Sequence, residues 1–162
     1  MTGIITDNIG RSGGLIKAAG GGGKLLQVIK STDKTNRSTT GNYSFTEMSN
    51  TLGIDITPTA SGNTLFAFTS DMKWYSYGAS SLALFADSTE LDQHDYTGSA
   101  YSTAGMLAPL VGSVTASGTS QVSFTIQLEN GGNSAGEGGM SFAESCAWMI
   151  VMELAAWWIV KQ

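Results

Sequence analysis

The chain has 162 residues, of which 41% are apolar and only 13% charged, with 21 glycines, two prolines, one cysteine and one histidine. That length fits one domain with a real core; a lone Cys146 excludes an intrachain disulfide, and with a lone His94 it excludes a His/Cys zinc site. The net charge of −5 is uneven: residues 1–40 carry six cations against two acids, and residues 41–162 carry two cations against eleven acids, an acidic body that disfavours nucleic acid as a partner.

Residues 1–19 read as an extended arm. Ile4, Ile5, Ile9, Leu15 and Ile16 are broken up by Asn8, Gly10, Gly13 and Gly14, so no helical or alternating period survives. Such a segment has no core of its own and is expected to order against a partner, with Arg11 and Lys17 favouring an acidic one. The N-terminus has neither a basic region nor a long apolar run, so no secretory signal is expected and synthesis in a cytosol follows. Gly20, Gly21, Gly22 and Gly23 come next and read as a hinge, because four glycines carry maximal backbone freedom and no side chain to pack.

The body, residues 24–156, opens with a strand over about Lys24–Ser31. Ser31–Asn42 is polar and reads as a loop or edge strand. Tyr43 and Phe45 then alternate with Ser44 and Thr46, and Thr51–Thr57 places Leu52, Ile54 and Ile56 on one face with a period of two. Pro58 closes that strand, and Ser61-Gly62-Asn63 makes a turn. Thr64–Tyr77 reads as one central strand whose aromatic end reaches the surface, with Trp74, Tyr75 and Tyr77 as possible contacts for a ligand such as a sugar. Ser81–Ala86 follows. The polar stretch Asp87–Thr103 reads as a loop. Met106–Ala116 is interrupted by Pro109 and therefore reads as an edge or bent strand. In Gln121–Glu129, Val122, Phe124, Ile126 and Leu128 point one way and the polar residues the other. Asn130–Gly139 holds five glycines and reads as a long loop.

Met140–Ala156 reads as a buried strand ending near Leu154, with Cys146, Trp148, Ile150, Met152 and Leu154 at alternate positions. Cys146 fits there as a small buried hydrophobe. A membrane span needs about 20 apolar residues, more than this stretch supplies, so no membrane partner is expected. Residues 157–162 form an apolar tail in which Trp157, Trp158 and Ile159 suit a subunit interface. Short strands separated by Gly-rich turns place the chain in the all-β class, as an antiparallel sandwich.

No catalytic constellation stands out. Gly20–Lys24 lacks the upstream glycine and the hydroxyl residue of a phosphate loop, since Ala18 and Leu25 occupy those places and a strand follows. The acidic stretch Asp87–Asp95 could offer oxygens to a hard cation such as calcium, but its spacing is not that of an EF-hand, and a solvated loop accounts for it. His94 has no partner that the sequence identifies.

From Gly23 the chain resembles a group of small virion structural proteins of marine tailed bacteriophages. The resemblance rests on Gly23-Lys24-Leu25-Leu26-Gln27-Val28-Ile29, on Leu52-Gly53-Ile54-Asp55-Ile56-Thr57-Pro58, on the turn Asp87-Ser88-Thr89 and on the closing Met152-Glu153-Leu154-Ala155-Ala156. It departs from that group at Asn63-Thr64, where a Ser-Lys pair is usual, and in the additional tail Trp157–Gln162. The resemblance implies a jelly-roll-like sandwich, a homotrimer, and a place on a phage particle, and it carries no catalytic residue. The expectation is a non-enzymatic virion protein without cofactor or metal. It would be a capsid decoration (cement) subunit docked by its arm to the major capsid protein or another virion protein. A tail-fibre or fibre-tip adhesin that binds host glycans is the alternative.

Overall fold

A computed structural model describes residues 24–35, 37–40, 42–70, 72–75, 80–96, 106–130, 137–140 and 147–156. The arm, the glycine hinge, Cys146 and the apolar tail lie outside the described residues.

Thirteen strands run in chain order among the described residues: β1 (Leu25–Asp33), β2 (Arg37–Thr40), β3 (Asn42–Glu47), β4 (Ile54–Ile56), β5 (Thr64–Thr69), β6 (Met72–Tyr75), β7 (Ser80–Ala86), β8 (Thr89–Tyr96), β9 (Met106–Ala108), β10 (Val111–Thr115), β11 (Val122–Asn130), β12 (Glu137–Met140) and β13 (Ala147–Leu154). They form one antiparallel sheet in the order β1-β13-β5-β10 and a second in the order β3-β11-β7-β8, with β4 also on β11. That is the two-sheet, Greek-key order of a jelly roll. The remaining strands form a third antiparallel sheet, β2-β12-β6-β9.

The registers give the sandwich two distinct ends. Leu25 pairs with Leu154, and Leu154 with Thr64, so the entry of β1, the exit of β13 and the start of β5 share one end, here the base. Ala155 N–H donates to the Lys24 carbonyl at 2.8 Å, which holds entry and exit side by side. Asp33 pairs with Ala147 at the opposite end, from which the chain passes into β2. The third sheet is built from the four connections at this far end, each drawn out into a short strand.

The core lies between the first two sheets. Leu52, Ile56, Leu65, Leu82, Phe124 and Ile126 are among its fully buried side chains. The period of two predicted for β4 and β11 is observed with the predicted phase, Ile54, Ile56, Phe124, Ile126 and Leu128 all facing inward. Strands β3 and β4 share one edge of the second sheet, and Met48 N–H continues the ladder onto the Ile126 carbonyl.

Four sequence expectations change. Thr64–Tyr77 is two strands in different sheets, β5 and β6, divided at the polar run Thr69-Ser70-Asp71. Thr69 Oγ1 accepts Leu110 N–H at 2.9 Å, and Ser70 Oγ accepts Trp148 N–H at 3.1 Å. Asp87–Tyr96 is a hairpin rather than a loop. Its two-residue turn has Asp87 at a φ of 51°, and Asp87 is tied to β11 by its Oδ1 accepting Ser123 N–H at 2.9 Å. β8 is mostly polar because it is an edge strand: Leu91 packs against the core, while other side chains bond the β9–β10 corner. Asp92 Oδ2 accepts Val111 N–H at 2.8 Å, and His94 Nε2–H donates to the Pro109 carbonyl at 2.9 Å. Part of Asn130–Gly139 belongs to β11 and β12, and Met140 ends β12 in the third sheet, so the strand read over Met140–Leu154 is β13 from Ala147. Ser31–Asn42, read as a loop or edge strand, supplies the end of β1 and all of β2, each at the edge of its sheet. Pro109 does separate two strands, and β10 is an edge strand as expected.

Two glycines answer specific needs. Gly62 turns at a φ of +86°, in the left-handed region that glycine enters at no steric cost. At Gly112 a Cβ would lie 2.5 Å from the Cβ of Leu91, so its absence lets the edge strands β10 and β8 close the sandwich. Gly112→Ala is expected to cost about 1–3 kcal/mol through overpacking, read as a lower urea midpoint at unchanged slope. A midpoint equal to wild type would show that the edge opens freely.

Candidate interaction surfaces

At the base, Glu153 is fully buried, and the described cations supply it no ion-pair partner. Its Oε1 accepts from Asn63 Nδ2 at 2.6 Å, Thr59 N at 2.7 Å and Thr59 Oγ1 at 2.8 Å, and its Oε2 accepts from Gln27 Nε2 at 2.6 Å. Burial pushes this carboxyl up. The bonds from Asn63, Thr59 and Gln27 outweigh that and leave it below the usual carboxylate range. Asn63 Oδ1 also accepts Ala156 N–H at 3.0 Å. The cluster therefore joins β1, β13 and the β4–β5 turn where the chain enters and leaves, and its geometry is that of a structural clamp.

The outer face of the first sheet is apolar across its width. On β13 the buried positions are Ala147, Met149, Val151 and Glu153, while Trp148, Ile150, Met152 and Leu154 are only half-buried and point outward. In register beside them stand Val28 and Lys30 of β1, Phe66 and Phe68 of β5, and Val111 of β10. Phe68 meets Trp148 edge-on at 5.7 Å, Phe66 lies 6.0 Å from Phe68, and Lys30 Nζ sits 5.7 Å from the Trp148 ring, in range for a cation–π contact. Val28 is 51% exposed and Val111 46%. A sandwich strand usually alternates apolar and polar, so the near-continuous apolar run in β13 was the signal for a second apolar face.

The outer face of the second sheet is polar and acidic. Glu47, Asp55, Glu90, Asp95 and Glu129 all lie on it, with no cation among its described side chains, around an edge-to-face pair of Phe45 and Phe85 at 5.1 Å. The Gln93 amide and the Ser81 hydroxyl hold Asp95 below the usual carboxylate range. Asp92 is already bonded to Val111 N–H. The described residues contain no cluster of three or more His, Cys, Asp or Glu able to hold a metal ion.

The far-end sheet carries Trp74 and Tyr75 on β6, between β12 and β9; Trp74 is opposite Met140 on one side and Met106 on the other. Tyr77 lies outside the described residues. So do the arm residues Ile4, Ile5, Ile9, Arg11, Leu15, Ile16 and Lys17, the hinge Gly20–Gly23, and Trp157, Trp158 and Ile159. Sequence reasoning did not single out the outer face of the first sheet or the Glu153 clamp.

No family model matches the chain, and no curated protein matches it in sequence. Among solved structures it is similar to the C-terminal domain of EclA, a sugar-binding protein, at 16% identity and a TM-score of 0.39, over 78% of each chain. It is also similar to infectious bursal disease virus VP2 in a subviral particle, at 12% identity and a TM-score of 0.34, over 81% of this chain and 37% of that one. A structure of the Gx strain of the same virus matches at 10% identity and a TM-score of 0.32, over 83% and 40%. The chain thus spans well under half the length of the two viral chains. No helix among the described residues is long and apolar enough to cross a membrane. The architecture rests on the strand order itself: this is an all-β protein whose two main antiparallel sheets pack as a jelly-roll-like sandwich.

Proposed function

We propose that this chain is a non-enzymatic structural subunit of a bacteriophage virion, a capsid decoration protein that docks by residues 1–19 to the major capsid protein and associates as a homotrimer. The observation that supports the reading is the polarity of the sandwich. Lys24 and Ala155 are bonded to each other at the base, so the arm and the tail leave from one end while the third sheet stands at the other. A subunit mounted by its base would project the far-end sheet outward, and the glycine hinge would let the arm lie along its partner.

The test is co-sedimentation with empty heads. The full chain is expected to pellet with the heads, and the chain lacking residues 1–19 to remain in the supernatant with an unchanged circular dichroism spectrum. Undiminished pelleting of the truncated chain overturns the docking role of the arm.

The second reading, a fibre-tip adhesin for host glycans, draws on Trp74 and Tyr75, which occupy the central part of the far-end sheet. It requires binding to host cells that Trp74→Ala abolishes; an unaffected Trp74→Ala variant removes it.

A further inference from the structure

β1 is held to the body by hydrogen bonds more than by the core. Leu25, Val28, Lys30 and Thr32 are exposed, and Ile29, only half-buried, is the one apolar side chain of β1 packed against the core. The polar side chains between these bond across the open side of the sandwich. Gln27 Nε2–H donates to the Thr57 carbonyl at 2.9 Å and to Glu153 Oε2 at 2.6 Å, and the Ser31 hydroxyl donates to the Leu52 carbonyl. Asp33 is the fixed end. It is buried, its carboxylate accepts from Thr35 N–H and from the Ser49 hydroxyl, and that hydroxyl in turn accepts Leu52 N–H. β13 bonds its two neighbours with alternate residues. Ala155 N–H reaches the Lys24 carbonyl, whereas the N–H and carbonyl of Trp148 both turn to Ser70. By the alternation of an antiparallel ladder, Met149 and Val151 point their N–H groups at β1, and Ile150 and Met152 point theirs at β5.

We propose that Lys24–Thr32 is a releasable strap, which peels from β13 and from the 49–57 segment, pivots at Asp33 and leaves the rest of the sandwich folded. Peeling withdraws one half-buried apolar side chain from the core, and the hydrogen bonds it breaks lie at an exposed edge where water replaces them. Glu153 keeps the three bonds that Thr59 and Asn63 give its Oε1 when Gln27 leaves, so the base clamp stays closed behind the strap. Residues 1–23 join the body through this strand, and tension on them is therefore taken up by the strap before it reaches the core. Such a strap operates whatever residues 1–19 bind, and so stands apart from the proposed function.

The test is native-state hydrogen exchange of the full chain, read by NMR and corrected for intrinsic rates. The amides of Gln27, Ile29, Ser31, Met149 and Val151 are expected to exchange as one group. That group should run about 100-fold faster than the amides of Ile150 and Met152, which open only with the whole body. Ile126→Val, in the core between the sheets, is expected to speed the slow group roughly threefold to tenfold. It should leave the fast group unchanged, because Ile126 stays packed when only the strap opens. Equal protection of the two groups overturns the proposal, since β1 then opens only together with its sheet. An Ile126→Val variant that speeds both groups alike overturns it too.

Discussion

Glu153→Ala lowers the melting temperature by roughly 10 °C, equivalent to about 3 kcal/mol in a chain of this length. The loss follows from what the carboxylate holds: four donors from Gln27, Thr59 and Asn63 converge on it, and it is fully buried. Truncation leaves those donors facing a cavity, and each unsatisfied buried donor costs about 1–3 kcal/mol. Because the donors join β1, the β4–β5 turn and β13, the loss is felt where the two sheets meet at the base. The same site sets a pH dependence. The folded pKa is depressed from its ordinary 4.5, so the unfolded chain binds the proton more tightly. The stabilisation is therefore complete above the unfolded pKa and is lost as pH falls through the lower, folded one. Thermal melts from neutrality down to about pH 3 should show wild type losing this part of its stability on acidification, whereas Glu153→Gln, which has no charge to lose, follows a shallower curve. Equal melting temperatures for wild type and Glu153→Ala at neutral pH would show that the clamp carries no stability.

Phe124→Ala costs about 3–5 kcal/mol, and Trp148→Ala about 1 kcal/mol or less. Both are large aromatic residues in strands, so size alone would rank tryptophan first. Phe124 lies where β11 meets Ile54 on one side and Ala86 on the other, and it is fully buried. Removing its ring opens a cavity between the sheets that the rigid strands do not collapse to fill. Trp148 stands on the outer face, half-buried against Phe68 and Lys30, and its loss in the isolated subunit exposes little new surface. Urea titrations of dilute protein measure both. A Trp148→Ala loss as large as that of Phe124→Ala would place the tryptophan in the core and return β13 to the opposite phase.

Class and several elements of the fold were legible in the residues. β4 and β11 alternate strictly between apolar and polar side chains, and such a pattern has one stable orientation against a core, so their phase could be read directly. Pro109 lacks the N–H needed inside a sheet, which placed β10 at an edge. Ser61-Gly62-Asn63 had the chemistry of a turn. The base clamp was hidden, because nothing local marks Glu153 as buried; its donors come from residues that are 90 or more positions away in the chain.

What the sequence by itself determined is the β class, the phase of the strands that have one polar face, and the charge step between residues 1–40 and the acidic remainder. The tertiary structure alone decided the rest, for physical reasons that differ by element. β13 is apolar on both faces, so alternation carried no phase, and packing turned the smaller Ala147, Met149 and Val151 inward and left Trp148 and Ile150 outside. β8 carries a single apolar residue, Leu91, among polar ones on both faces, so it looked like a loop; backbone pairing with β7, Leu91 against the core and side-chain bonds to the Pro109–Val111 corner make it a strand. Thr64–Tyr77 is broken by the polar run Thr69-Ser70-Asp71, but that run does not by itself distinguish a polar patch in one long strand from a boundary. Thr69 and Ser70 bond Leu110 and Trp148 through both backbone and hydroxyl where the first sheet ends. Local pattern specifies a face when one side must meet water. Where both sides are alike, only the neighbouring strands can choose.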